Sequence, residues 1–261
     1  MFDMGQRRVL TKNQLVEVIC QLRYPDILKI ETEVPAAFQD AIRAEYPIYE
    51  KRTEQLPPRL VGGKPEAQGS VQNHQFISQD GKWKVSMTRN FIALSTHAYS
   101  CWEDFAKRLD VLLEIFIRQY APADFQRVGL RYINALNKDA LGLSDTPWRE
   151  LIAPGFLGLM AEEDVPERAF AKCEQTMTAA IPGGAKVNLK CGPGVLRKVN
   201  NRTRETKEER VFMLDMDLYM EGNTPLNHVV PALNVVHGNA GSIFRSAVTP
   251  TLLDAMEQAE A

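Results

Sequence analysis

The sequence predicts an α+β fold, and three observations carry that reading. Residues 14–24 and 125–137 each alternate apolar and polar side chains with a period of two, as half-buried strands do. Residues 100–120, SCWEDFAKRLDVLLEIFIRQY, place apolar side chains at intervals of three and four, the stripe of an amphipathic helix. The same order of elements (strand, short helix, antiparallel strands, long helix) then comes twice along the chain.

In QLVEVICQLRY, Val16, Val18, Cys20, Leu22 and Tyr24 share one strand face, and Glu17, Gln21 and Arg23 the other. Pro25 closes the strand. A short helix is expected from Pro35, with Phe38, Ile42 and Tyr46 four apart, until Pro47 stops it. Residues 55–73, rich in Pro, Gly and Gln, read as a mobile loop with one short edge strand near Leu60 and Val61. Two strands follow, Lys82–Arg89 and Phe91–Tyr99, turning at Asn90. The long helix comes next, with Ser100 as the expected N-cap and Pro122 as its end.

The second half opens on residues 125–137, where Val128, Leu130 and Tyr132 face one way and Arg127, Arg131 and Ile133 the other. A short helix is expected near Thr146–Leu151, then a connector over 154–168, and strands at 170–181 and 186–191 turning at Pro182-Gly183-Gly184. A charged connection over 197–210 leads to a strand at 211–220, with Asp215, Asp217 and Tyr219 opposite Phe212, Leu214, Met216, Leu218 and Met220. Thr224-Pro225 reads as the start of a helix that carries Val229, Leu233, Val236, Ala240 and Ile243, with Pro231 as a kink or the true start. A last amphipathic segment runs over Pro250–Met256. The halves are 1–122 and 123–261, two domains or one continuous one. Joined, they predict a saddle-like antiparallel sheet with both long helices on one face and a polar face opposite. That order of elements is similar to the duplicated saddle of the TATA-box-binding-protein class, a likeness of fold that carries no function.

Composition narrows the classes. The 261 residues are 44% hydrophobic and 25% charged, with net charge −2 and pI near 6.1. This is a globular mix without a generally basic surface for nucleic acid. No run approaches the ~20 apolar residues of a membrane span, so no membrane partner is expected. Cys20, Cys101, Cys173 and Cys191 form no C-x-x-C pair. They read as reduced small hydrophobes of a cytoplasmic protein.

LRYIN at Leu130–Asn134, with QLVEVICQLRYP near the start and HGNAGSIFRSAVTPTLLDAM near the end, resembles an uncharacterised, sporadically distributed bacterial family of about this length. The resemblance spans nearly the whole chain. It implies a small stand-alone bacterial protein and brings no catalytic residues with it.

The candidate site is the polar sheet face: Glu17 and Arg23 from one strand, Arg127 and Arg131 from another, Asp215 and Asp217 from a third. Arginine forks on such a face can grip phosphate or carboxylate. The competing reading is a ladder of cross-strand ion pairs on a solvated surface. Asp215 and Asp217 could ligate Mg²⁺, but no third acidic ligand accompanies them, so no metal site is expected. Arg197, Lys198, Arg202 and Arg204 form a candidate nucleic-acid arm, without aromatic residues for base stacking. His74, His97, His228 and His237 match no zinc spacing, and the glycine-rich stretches match no phosphate loop. No catalytic set and no cofactor site emerge. The expected function is a non-enzymatic cytoplasmic binding or interaction protein. An enzyme acting on a phosphorylated small molecule or nucleic acid, or a nucleic-acid-binding module, is the alternative. A homodimer is expected to form through a sheet edge or the last helix.

Overall fold

The structure, a computed structural model, describes residues 10–55, 59–66, 69–170, 172–199 and 206–257. It is α+β. The strands are β1 (Leu15–Arg23), β2 (Ile48–Gln55), β3 (Arg59–Val61), β4 (Lys64–Glu66), β5 (Ser70–Ile77), β6 (Trp83–Thr88), β7 (Phe91–Thr96), β8 (Phe125–Leu136), β9 (Gln175–Ile181), β10 (Ala185–Val199) and β11 (Thr206–Thr224). The helices are α1 (Leu28–Thr32), α2 (Ala36–Ile42), α3 (Trp102–Tyr120), α4 (Trp148–Leu151), α5 (Pro154–Leu157), α6 (Val229–Ala247) and α7 (Pro250–Glu257). Nine strands form one antiparallel sheet in the order β2-β5-β6-β7-β1-β8-β11-β10-β9, and β3 pairs with β4. Among the described residues no helix is long and apolar enough to cross a membrane.

The chain divides into two compact units. Unit 1 takes Met1–Val18, Leu130–Met220 and Pro231–Ala261; unit 2 takes Ile19–Gly129 and Glu221–Val230. The boundaries fall inside β1, β8, β11 and α6, so neither unit is a continuous stretch of sequence.

In unit 2 the α3 stripe behaves as its spacing predicts: Trp102, Phe105, Leu109, Leu112, Leu113 and Phe116 are buried. Its rings meet aromatic side chains of the sheet. Phe105 lies 5.8 Å from Trp83, and Phe116 lies 4.9 Å from Tyr24. The helix begins one residue later than expected, with Cys101 at the N-cap position and no side-chain cap bond. Its first turn still carries Glu103 and Asp104, which favour the positive end of the helix dipole.

In unit 1, α6 covers the Tyr132 side of the sheet. Tyr132 Oη lies 2.8 Å from His237 Nδ1. Asn239 Nδ2 donates to Pro182 O at 3.1 Å, tying the helix to the turn between β9 and β10. Pro231 falls in the first turn of α6, where an interior hydrogen bond is not yet required, so the helix runs on past it. Trp148 of α4 packs on Phe212 of β11 with ring centroids 5.5 Å apart.

Several expected boundaries shift. The stretch 55–73 is not wholly a loop: β2 and β5 flank it, paired from Ile48↔Ile77 to Gln55↔Ser70. The charged connection continues the sheet, with β10 reaching Val199 and β11 starting at Thr206. Long polar strands can pair through their backbones without an apolar face to announce them. Thr224 ends β11 instead of capping a helix, and a single 3₁₀ turn at Leu226–His228 precedes α6. The strand expected at 170–181 starts at Gln175, and the helix near Thr146 starts at Trp148.

Candidate functional site

The pleat of β8 sends Val128, Leu130 and Tyr132 into the core and Arg127, Gly129 and Arg131 to the other side. On β11, Leu214, Met216 and Leu218 are buried, and Asp215 and Asp217 are half-buried between them. The face of the unit 1 sheet away from α6 therefore collects four of the anticipated residues: Arg131, Asp215, Asp217 and Glu17.

Arg131 and Asp215 form a fork. Arg131 Nε donates to Oδ1 at 2.7 Å, and Nη2 donates to Oδ2 at 2.5 Å. The arginine side chain is 44% exposed and the aspartate 17%. The hydrogen bonds to Asp215 hold the Arg131 pKa above its ordinary value; partial burial works against them, and the charges of Asp215, Asp217 and Glu17 add to them. One guanidinium thus sits among three carboxylates.

The neighbouring strands extend the network. Asn188 on β10 stands opposite Asp217 and donates to its Oδ2 at 3.4 Å; Thr178 on β9 in turn donates to Asn188 Oδ1 at 2.9 Å. Lys190, opposite Asp215 in register, pairs with Glu174 at 2.9 Å. Further along β11, Glu209 accepts from Asn137 Nδ2 at 2.9 Å. Asn188 and Asn137 were not singled out in the sequence. The alternation of Lys186, Asn188 and Lys190 with Val187 and Leu189 was the available signal for the first.

The other anticipated face residues belong to unit 2. Arg23 donates from Nε to Gln21 Oε1 at 3.3 Å on an exposed stretch of β1. Arg127 folds along its own strand: a Cβ at Gly129 would lie 2.2 Å from Arg127 Nη1. The glycine leaves room for the guanidinium.

In the basic segment, Arg197 on β10 faces Glu208 on β11, and its Nε donates to Oε1 at 2.8 Å. The backbone of Lys198 lies in β10; its side chain, and the whole of Arg202 and Arg204, lie outside the described residues.

The histidines sit apart. His74 is buried in unit 2, with Nε2 donating to Ile30 O at 3.0 Å and Nδ1 2.9 Å from Tyr49 Oη. A carbonyl can only accept, so Nε2 carries a proton, and burial pushes the pKa of the ring below its ordinary value. His228 lies in the 3₁₀ turn and His237 in α6. All four cysteines are free thiols, and burial raises Cys191 to about 11. Among the described residues no group of three His, Cys, Asp or Glu side chains is placed to hold a metal ion.

Chemically, the face carries the Arg131–Asp215 fork beside a second hydrogen-bonded set, Asp217–Asn188–Thr178. Asp215 occupies the Nε/Nη2 edge of the guanidinium, so an incoming phosphate would compete with it there. No family model and no curated protein matches the chain.

Proposed function

We propose that this chain is a non-enzymatic cytoplasmic binding protein, and that the face of the unit 1 sheet bearing Arg131 is its contact surface. The observation that carries the reading is the Arg131–Asp215 fork. Isolated surface ion pairs contribute little to stability, about 0–1 kcal/mol. Here two charges are held in a bidentate geometry, with further carboxylates and amide side chains aligned along the same face. Such an array offers directional donors and acceptors to a partner, which is where polar networks act most strongly, in register and specificity. Four free thiols fit a reducing compartment.

The enzyme alternative, with Arg127 and Arg131 as anion clamps, has less support because Arg131 is already engaged by Asp215. The nucleic-acid alternative is likewise weakened, since Arg197 is paired with Glu208.

Site-specific photo-crosslinking in cells tests the reading. A photoreactive residue in place of Lys190, on the proposed surface, is compared with one in place of exposed Asp110 on α3. A discrete adduct from position 190, absent from position 110 and lost in the Arg131→Ala background, is expected. Equal labelling from both positions, or none from 190, would sink the idea. In parallel, inorganic phosphate and a single-stranded oligonucleotide should leave the melting temperature unchanged. A salt-sensitive shift with either revives the alternatives.

A further inference from the structure

We propose that β9 is a self-pairing edge: two copies of this chain join antiparallel through β9, Thr178 against Thr178, and continue the sheet across a twofold axis.

Among the described residues, β9 ends the sheet order, with β10 on one side and no strand on the other. Every second residue of an edge strand directs its N–H and C=O outwards, a template for another strand. Proteins usually blunt such edges with charge, proline or a bulge. The strand β9, QTMTAAI, has none of these: it carries no charged residue and no proline, and it pairs with β10 residue for residue from Ala185↔Ile181 to Cys191↔Gln175. Thr176 to Ala180 are all exposed.

Three features select a second copy as the occupant. First, the seven residues have Thr178 at their centre, so a twofold there sets Gln175 against Ile181, Thr176 against Ala180 and Met177 against Ala179. No pair opposes like charges, and Thr176 and Met177 each meet an alanine. Second, Met177 is aligned with buried Leu189 on the helix-covered side yet is 39% exposed. Pairing about Thr178 lays each methionine on the other copy's Ala179. Third, Leu159 is 70% exposed, and the adjoining Gly158 packs on the Gln175 side chain at the start of β9. A twofold repeats this apolar residue at both ends of the new junction. An isologous contact of this kind closes on itself, so it yields a dimer and no fibre. The contact is the outer edge of β9; it shares Thr178 with the Arg131 face, where Thr178 donates to Asn188 Oδ1, and it is read by self-association and not by binding of another partner.

Sedimentation velocity on the full chain, at about 100 µM where a small interface is populated, provides the test. The wild type should sediment at close to twice the 29.4 kDa chain mass. Thr178→Lys and Thr178→Glu each set two like charges against one another on the axis. Each should raise the dimer dissociation constant about tenfold or more. An equimolar mixture of the two variants should restore the dimer. Circular dichroism melting of each variant checks that this exposed substitution leaves the fold intact. Thr176→Lys, which would face Ala180, should weaken the dimer less than Thr178→Lys. A wild type that is monomeric at this concentration overturns the proposal. So do single variants that stay dimeric, or a mixture that stays monomeric.

Discussion

The two outer strands of the sheet are built on opposite plans. In β2, IYEKRTEQ, charges fill the middle: Glu50, Lys51, Arg52 and Glu54, with Arg52 paired to Glu50 at 2.6 Å. In β9 the middle is Thr, Met, Thr and Ala. A strand docking on β2 would have to desolvate or rearrange four charges, whereas one docking on β9 meets small neutral side chains. The interiors behind the strands differ too. Unit 2 stacks aromatic rings, with Phe125, Tyr24 and Phe116 joined through Tyr120 to Phe38, Phe76 and Tyr49. Unit 1 packs a helix whose buried face holds small and aliphatic residues, Val236, Ala240, Ser242 and Ile243. Unit 2 thus combines a guarded edge with a bulky core. Unit 1 combines an unguarded edge with a polar open face, and both interaction surfaces proposed above belong to it.

The strongest way to probe this contrast is through the cores. Phe105→Ala should cost about 3–5 kcal/mol, because it removes a ring packed against Trp83, Tyr99 and Trp102. Ile243→Val on α6 should cost about 0.5–1.5 kcal/mol. Equilibrium denaturation reads both, and a Phe105→Ala loss well below that range would contradict the ring packing of unit 2.

The next effect is at the turn that carries β9. Gly183 has φ +81°, and a Cβ there would come within 2.5 Å of Val235 Cγ1. Gly183→Ala should therefore destabilise unit 1 by about 1–3 kcal/mol, from backbone strain together with the collision. Gly129→Ala in unit 2 should cost less, since only the mobile end of Arg127 must move. A larger loss at Gly129 than at Gly183 would contradict the geometry.

A pH dependence should separate the units more gently. His74 is buried in unit 2 and its pKa lies below the ordinary 6.5. The unfolded chain then binds the proton more readily than the folded one. Stability contributed by this group is complete above about pH 6.5 and falls as pH drops below it. Hydrogen exchange followed at pH 7.5 and 5.5 should show unit 2 amides losing protection. His74→Gln should flatten that change. An unchanged pH response in the variant would assign the effect elsewhere.

The smallest effect is at the fork. Arg131→Ala should lower stability by no more than about 1 kcal/mol, because the guanidinium is substantially exposed. The change should shrink with added salt. A loss of several kcal/mol would make the pair a structural element of unit 1 and weaken its reading as a contact surface.

Much of the architecture was legible where one face is oily and the other is not. Strands β1, β8 and the centre of β11 declared themselves by alternation, and α3 by its stripe. The elements that escaped have no such contrast. In β5 the polar residues Asn73, His74 and Gln75 are buried, so a period-two pattern never forms. In β2, and at the start of β11, most side chains are exposed and polar. Their backbones pair with a neighbouring strand that no local pattern identifies. Pro225 similarly suggested a helix start at Thr224, but the backbone pairing of β11 runs through that residue.

The candidate site divides along the same line. The sequence alone determined that Arg127 and Arg131 share one side of their strand and that Asp215 and Asp217 share one side of theirs, because a pleat alternates whatever surrounds it. Which strands become neighbours is decided by long-range hydrogen bonding, and only the tertiary structure set β11 beside β8, closed Arg131 on Asp215 and grouped Glu17 with them in unit 1. Tertiary structure also decided that β9, a strand with no charge to mark it, is the one left with an open side: being an edge is a property of what lies next to a strand, and its own residues cannot encode it.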